Sequence, residues 1–230
     1  GSVDKDDVLR WAEENFDPMS GGRPNPRKAP VLTGSAYRHY RRKEDHCYVG
    51  MGFRAFDAND DDLPALTMLN AVLGSGSSRL FQNVREEKAL VYSIYNYVDQ
   101  YTDAGSMGTY MSATEENVLD AIETTARTYR ELKDGGLTDG ELQRVKNLVK
   151  GALIRGMEST SRRLYTLAKG TMLVGKPRSL EERLSRLDAV TEEDAMRVAE
   201  KVIRPEGLNV VMYSGDVASM KDFNPSQLDF

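Results

Sequence analysis

Residues 73–97, LGSGSSRLFQNVREEKALVYSIYNY, pass from a glycine-serine loop through a short helix into a strand. Gly74 and Gly76 predict a flexible loop, because glycine adopts backbone angles that other residues avoid. Apolar residues then recur at helical spacing over 80–84, which predicts a short helix ending in the charged residues that follow. From residue 90 onward β-branched and aromatic residues dominate, and these favour a pleated strand.

Two polar side chains bracket this switch from helix to strand. Arg85 lies near the predicted helix end and Tyr92 near the strand start, so both are expected to point at one spot beyond the sheet. A guanidinium group can hold a peptide carbonyl through several fixed donors. A phenol can donate to an oxyanion that develops on such a carbonyl. The alternative is structural, with Arg85 in a surface ion pair and Tyr92 packed in the sheet, and the residues alone favour it.

The rest of the chain predicts the fold class. Strand patterns cover residues 35–41, 46–56, 90–98, 104–112 and 208–213, and helical patterns cover 5–16, 63–73 and most of 118–203. Strand pairs joined by hairpins, with helices between them, predict an α+β fold with an antiparallel sheet of about five to six strands covered on one face by helices. We interpret residues 1–2 as a cloning remnant, 3–216 as a single domain and 217–230 as a C-terminal tail.

Composition excludes several classes of function. The 230 residues carry 31 basic and 36 acidic side chains, and the net charge of −5 argues against nucleic acid as the main partner. The single cysteine, Cys47, excludes an internal disulfide and a thiolate metal cluster. No apolar run reaches the roughly 20 residues of a membrane helix, and the start does not resemble a signal peptide. A cytoplasmic location is the default expectation, although a fragment would have lost any leader.

The run SSRLFQNVREEKALVYSIY, residues 77–95, resembles the second domain of the pitrilysin-type zinc peptidases. That family includes insulin-degrading enzyme and the mitochondrial processing peptidases. Further similar stretches are GTYMSATEENV (108–118), LTDGELQRVKNLVKGAL (137–153), MESTSRR (157–163) and VTEEDAMRVAEKVI (190–203). The resemblance covers most of residues 5–216. One position departs from the family, because Ala89 stands where glycine is usual.

The resemblance implies a role for Arg85 and Tyr92. In this family one half carries an inverted zinc motif, and its sister half supplies an arginine and a tyrosine at the spacing that these two residues have. It implies that this chain is the non-zinc half of a metalloendopeptidase, which binds peptide or unfolded polypeptide and is inactive alone. The zinc-bearing partner half would lie in the same polypeptide or on a second subunit. In this family the helix predicted at residues 5–16 normally follows a strand. The chain opens with this helix and lacks that strand, as we expect of a fragment.

The family's zinc motif does not fit the histidines of this chain. The motif H-x-x-E-H ending at His46 would need glutamate at 45 and histidine at 42, where Asp45 and Arg42 stand. We therefore interpret His39 and His46 as surface or sheet residues, and expect neither a metal nor another cofactor here. The glycine-serine loop lacks the further glycine or Lys-Ser/Thr pair of a nucleotide site, so we interpret it as a turn.

A second hypothesis is a non-catalytic scaffold subunit, similar to the core proteins of the respiratory complex that keep this fold without proteolysis. The presence of Arg85 and Tyr92 favours the peptidase hypothesis, since a scaffold need not keep them. The sequence assigns no role to Arg162 and Arg163, and leaves open whether two copies of the chain associate. Tyr95, Tyr97, Tyr101 and Tyr110 form an aromatic group near two neighbouring strands, which sheet packing explains.

Overall fold

The computed structural model describes residues 2–17, 21, 28, 30, 31, 34–74 and 76–230. Gly1 of the inferred cloning remnant and Ser75 of the glycine-serine loop lie outside these residues. The elements in chain order are α1 (Lys5–Phe16), β1 (Ala36–Arg41), β2 (Cys47–Ala55), α2 (Leu63–Gly74), a π-helix (Phe81–Glu86), β3 (Ser93–Gln100), β4 (Gly105–Ala113), α3 (Val118–Gly135), α4 (Glu141–Gly156), α5 (Thr160–Val174), α6 (Leu180–Asp188), α7 (Glu192–Val202) and β5 (Asn209–Ser214).

The five strands form one sheet in the order β1-β5-β2-β4-β3. Side chains alternate along β2, where Val49, Met51 and Phe53 are buried while the residues between them are only partly buried. The buried side chains belong to one core shared with α2, α3, α4 and α7. Helices therefore cover one face of the sheet, and the predicted α+β class is confirmed.

The sheet is mixed, so the prediction that it is antiparallel throughout is wrong at one edge. β1 pairs with β5 in parallel, from Ala36 opposite Asn209 to Arg41 opposite Ser214. The predicted pairing of the first two strands as a hairpin is also wrong, because β5 lies between them. Burial explains why β5, and not β1, lies next to β2. Strand β5 buries Val210 and Met212, whereas β1 has no fully buried residue and suits an edge.

A polar network crosses the core and fixes the strand that follows the candidate site. Asn96 of β3 donates to Asn70 Oδ1 of α2 at 3.0 Å and accepts from Thr109 Oγ1 of β4 at 2.6 Å. Thr109 also bonds the hydroxyl of Tyr129 on α3, and burial raises the pKa of this tyrosine. Because satisfied buried polar groups specify one arrangement, the network sets the position of β3 relative to both helices.

Helix α1 confirms the helix expected over residues 5–16, but none of its residues is buried. Asp4 caps it, since its Oδ1 accepts from the backbone N–H groups of Asp6 at 2.9 Å and Asp7 at 3.1 Å. Val8 and Trp11 are both about half exposed. The sequence period thus identifies an amphipathic helix whose apolar side chains are not covered by the described part of the chain.

Residues 217–230 pack against the domain. Val217 and Met220 belong to its core, and the Phe230 ring lies 6.0 Å from Phe53 and 6.2 Å from Tyr129, measured between centroids. The domain boundary at residue 216 stays a prediction, and the structure adds that the residues after it contribute to the same core.

Candidate functional site

The loop that opens the candidate site begins where α2 ends. A Cβ atom at Gly74 would overlap the backbone nitrogen of Asn96, so close packing against β3 requires glycine there. Gly76 has a φ of +48°, the left-handed conformation that glycine adopts without a clash. Ser78 Oγ then accepts from the backbone N–H of Phe81 at 3.3 Å at the start of the next helix. The flexibility of this loop stays a prediction.

Arg79 anchors this segment to the helical layer. Its guanidinium donates to Glu141 Oε2 at 2.6 Å and Oε1 at 3.1 Å, and to the carbonyl oxygen of Gly136 at 2.7 Å. The side chains are only 18% and 5% exposed for Arg79 and Glu141. Sequence reasoning missed this pair, because nothing in the local pattern joins residues that lie 62 positions apart.

The helix that carries Arg85 is a π-helix over Phe81–Glu86. Its wider turn is visible in the bond from the Glu87 N–H to the Gln82 carbonyl oxygen at 2.9 Å, a five-residue step. Leu80 and Val84 are fully buried, and they hold one side of the helix on the core. Such helices are rare and are frequent at functional sites, and helical spacing in the sequence does not distinguish them from α-helices.

Arg85 lies in the last turn of this π-helix and its side chain is exposed. Its guanidinium carbon lies 5.0 Å from the centroid of the Phe81 ring, which favours one orientation of the long side chain. Within the described part of the chain, the Arg85 guanidinium has no hydrogen bond or ion pair. Its donors are therefore available to a ligand, and the surface ion pair of the alternative interpretation is absent among these residues.

Ala89 makes the turn from the π-helix towards β3 with a φ of +51°, the one positive φ at a non-glycine residue in the described chain. A Cβ atom in the left-handed conformation lies too close to the following carbonyl oxygen, at a cost of about 1–2 kcal/mol. The departure from the family's usual glycine therefore falls at the position where glycine is least strained.

Ala89→Gly is expected to raise the free energy of unfolding by about 0.5–1 kcal/mol, since relief of the clash exceeds the extra freedom of glycine in the unfolded chain. Urea denaturation of the purified chain measures this. The control is Ala152→Gly on the exposed face of α4, which should lower stability by about 1 kcal/mol. A loss of stability in Ala89→Gly would contradict the assigned strain.

Tyr92 precedes β3 and is held by its backbone, because its N–H donates to the Ser112 carbonyl oxygen at 2.8 Å. Its side chain is 57% exposed. The ring lies 4.9 Å from that of His46, centroid to centroid, at an interplanar angle of 58°. In the described structure the Tyr92 hydroxyl bonds no other residue. Tyr92 thus has a held backbone and an exposed hydroxyl, and is not a buried sheet residue.

Arg85 and Tyr92 stand on the two segments that flank the Ala89 turn. Further contacts fix the first segment on α3, where Asn83 Nδ2 donates to Thr128 Oγ1 at 3.1 Å and Lys88 Nζ donates to Thr124 Oγ1 at 3.1 Å. The backbones on both sides of the turn are therefore held, while the side chains of the two candidate residues are exposed. Exposed donors on held backbone segments can reach a bound carbonyl oxygen and stabilise negative charge on it.

The face of the sheet away from the helices continues from this site. The rings of Tyr95 and Tyr110 lie 5.0 Å apart and those of Tyr95 and Tyr97 lie 6.4 Å apart, which confirms the predicted packing of these three. Tyr101 lies beyond β3 and is 57% exposed. Beside Tyr97 a shallow depression of about 370 Å³ includes Gly50 and Gly52.

The histidines do not form a metal site together. His39 Nε2 bonds Ser214 Oγ at 2.9 Å, whereas His46 lies against Tyr92. In the described ranges, no group of three or more His, Cys, Asp or Glu side chains is placed to hold a metal ion. Within the same ranges, no helix combines the length and the apolar character that crossing a membrane requires.

Comparison with known proteins identifies relatives of this chain. Residues 1–149 match the family described as peptidase M16 inactive domain. An uncharacterized zinc protease of Streptomyces coelicolor is 30% identical over 222 residues, which cover 92% of this chain and 48% of that protein. The mitochondrial-processing peptidase subunit beta of Lentinula edodes is 22% identical over 241 residues, covering 97% of this chain and 51% of that subunit.

A solved structure supports the same assignment of the fold. The crystal structure of a peptidase M16 inactive domain from Pseudomonas fluorescens matches with a TM-score of 0.80 at 18% identity, covering 95% of this chain and 53% of that one. The chain spans about half the length of the curated relatives described above. Because the family match extends over more than half of its residues, the chain belongs to the peptidase M16 inactive-domain family.

Proposed function

We propose that this chain is the non-zinc half of a zinc metalloendopeptidase, which binds peptide or unfolded polypeptide and completes the active site of a partner half. The observation that carries the proposal is the pair Arg85 and Tyr92, both exposed and without a side-chain hydrogen bond in the described chain, on either side of the held turn at Ala89. Membership of the M16 inactive-domain family supports it.

Each of the two side chains has a separate part in this proposal. The Tyr92 hydroxyl donates a hydrogen bond to the oxygen of the scissile carbonyl, and this bond strengthens as negative charge develops there. The Arg85 guanidinium donates to a backbone carbonyl of the substrate and holds the peptide in register. Interactions that strengthen in the transition state raise turnover, so the two residues affect different kinetic constants.

Zinc belongs to the partner half in this proposal. Two histidines with different neighbours, one bonded to Ser214 and one against Tyr92, do not provide a zinc ligand set in this chain. Zinc bound by the partner's H-x-x-E-H motif would polarise the carbonyl and activate water. The partner half lies in the same polypeptide or on a second subunit.

Reconstitution tests the proposal. The purified chain is mixed with a separately purified H-x-x-E-H half, and cleavage of an unfolded polypeptide is followed with and without a zinc chelator. We expect zinc-dependent cleavage only in the mixture, and neither stoichiometric zinc nor cleavage with this chain alone. Cleavage by this chain alone would contradict the proposal that the zinc-bearing partner half is required. Assembly without cleavage would favour the scaffold alternative instead.

A further inference from the structure

An open pocket of about 370 Å³ (the cavity) is lined by several helices and does not include Arg85 or Tyr92. Its walls come from α2, α4, α5 and α6, and Val98 and Gln100 of β3 also line it. Gly170 of α5 packs directly on the loop after the helix, since a Cβ there would come within 2.9 Å of Pro177 Cα. The loop that carries Lys176 is thereby held against the mouth of the cavity.

Five cationic side chains line this cavity and no carboxylate does: Lys169, Lys176, Arg178, Arg183 and Arg186. This one-sided lining contrasts with a chain whose net charge is −5. Positive charges that converge on one concave surface raise the local concentration of anions. The lining therefore favours a negatively charged ligand.

Two of the five cations have protein partners. Arg178 pairs with Glu182 at 3.6 Å and Arg186 pairs with Asp61 at 3.2 Å, and neither acid lines the cavity. Within the described chain, Lys169, Lys176 and Arg183 have no side-chain hydrogen bond or ion pair. The residues outside the described ranges include no aspartate or glutamate, so they cannot neutralise these cations.

Arg183 is the cation for which the lack of a partner matters most. It is partly buried, and burial lowers its pKa. A desolvated charge without a counterion is unfavourable, and a bound anion would relieve that cost. Lys169 and Lys176 are exposed, so their side chains can reorient towards a ligand that enters the cavity.

The remaining lining is largely aliphatic. Leu63, Val149, Leu153, Leu173 and Leu187 contribute side chains from α2, α4, α5 and α6. A cavity of this volume accommodates a small organic molecule, and apolar walls with a few convergent charged groups are typical of such sites. Inorganic anions alone would leave the aliphatic walls uncovered.

We propose that this cavity binds an organic anion in which a carboxylate is attached to an apolar body. The carboxylate pairs with Arg183, and the apolar body lies against the leucines of α4 and α5. A medium-chain fatty acid and the C-terminal residue of a peptide share this chemistry. The site is independent of the function proposed for Arg85 and Tyr92.

Titration calorimetry of the 230-residue chain at low ionic strength tests this, with octanoate and N-acetylleucine as probes. Saturable binding of either probe at a single site supports the proposal, and the preferred probe identifies the source of the carboxylate. We expect 1-octanol, which lacks the charge, and inorganic phosphate, which lacks the apolar body, each to bind at least about tenfold more weakly.

Arg183→Gln should weaken binding of the preferred probe by about tenfold or more. The matched control is Arg127→Gln on α3, an exposed arginine outside the cavity, which should leave binding unchanged. Arg183→Met separates binding from folding, because removing an unpaired, partly buried charge should not lower the melting temperature even as binding is lost. Absence of saturable binding, equal affinity for 1-octanol or phosphate, or full affinity in Arg183→Gln would each overturn the proposal.

Discussion

Tyr92→Phe in the reconstituted protease is expected to lower kcat by about 10²–10³-fold, because it removes one hydrogen bond to the developing oxyanion. The ring and its contact with His46 remain, so the free energy of unfolding should not change. Steady-state kinetics on an unfolded polypeptide substrate, together with thermal unfolding of the variant, measure both quantities.

The chain offers a matched control for this experiment. Tyr101→Phe removes a hydroxyl from another tyrosine that is also 57% exposed, at the far end of β3 from Tyr92. It should leave kcat and KM at their wild-type values. Equal losses in the two variants would indicate a general effect on the surface of the sheet.

Arg85→Ala tests the second residue of the candidate pair. The proposed contact with a substrate carbonyl predicts a loss in kcat/KM, and Arg85→Lys should restore little of it, because an ammonium group lacks the planar fork of donors. Full activity in the Arg85→Ala/Tyr92→Phe double variant would reject the roles given to both residues, while leaving the fold and the family assignment intact.

Arg79→Met is expected to lower the free energy of unfolding by about 2–3 kcal/mol, because the buried Glu141 carboxylate loses the bonds from Arg79 and keeps only Arg144, at 3.8 Å, as a cation. The carboxylate is only 5% exposed and accepts two of the bonds that Arg79 donates. Urea denaturation at neutral pH measures the loss. Arg79→Met/Glu141→Leu should recover part of it, because the buried carboxylate is removed together with Arg79 but the bonds that Thr138 donates to Glu141 are lost.

The effect of Arg79→Met should depend on pH. Burial raises the pKa of Glu141, but hydrogen bonds from Arg79 and Thr138 outweigh burial and hold that pKa below its usual value. The pair therefore stabilises the protein fully above the unfolded pKa of about 4.3, and less as the pH falls below it. The difference between wild type and Arg79→Met should narrow in acid, and a constant difference would contradict this account.

The sequence proposed Arg85 and Tyr92 as a candidate pair through the family resemblance, since the residues alone favour a structural role. The spacing of Arg85 and Tyr92 and the change from helical to strand pattern between them lie within residues 73–97, where each feature depends on neighbours in the chain. The structure adds that both side chains are exposed and that Ala89 turns the chain with a positive φ. Ala89 stood out in the sequence because the family usually has glycine at this position, and no pattern in this chain predicted its positive φ.

The cationic cavity gave no comparable signal. Its charged residues lie between residues 169 and 186, but Glu181 and Glu182 are interspersed with them, so the linear charge pattern is mixed. Only the packing of α5 and α6 against α2 and α4 directs the cations to the cavity and leaves the acids off its surface. Charge along the chain therefore did not predict charge around the cavity.

By itself the sequence determined the α+β class and the positions of most helices and strands, because periodicity and turn residues act over a few positions. Only the tertiary structure decided the parallel pairing of β1 with β5, the Arg79–Glu141 pair and the one-sided charge of the cavity. Each of these features joins segments that are distant in the chain, and a local pattern predicts an element without predicting which other element it packs against.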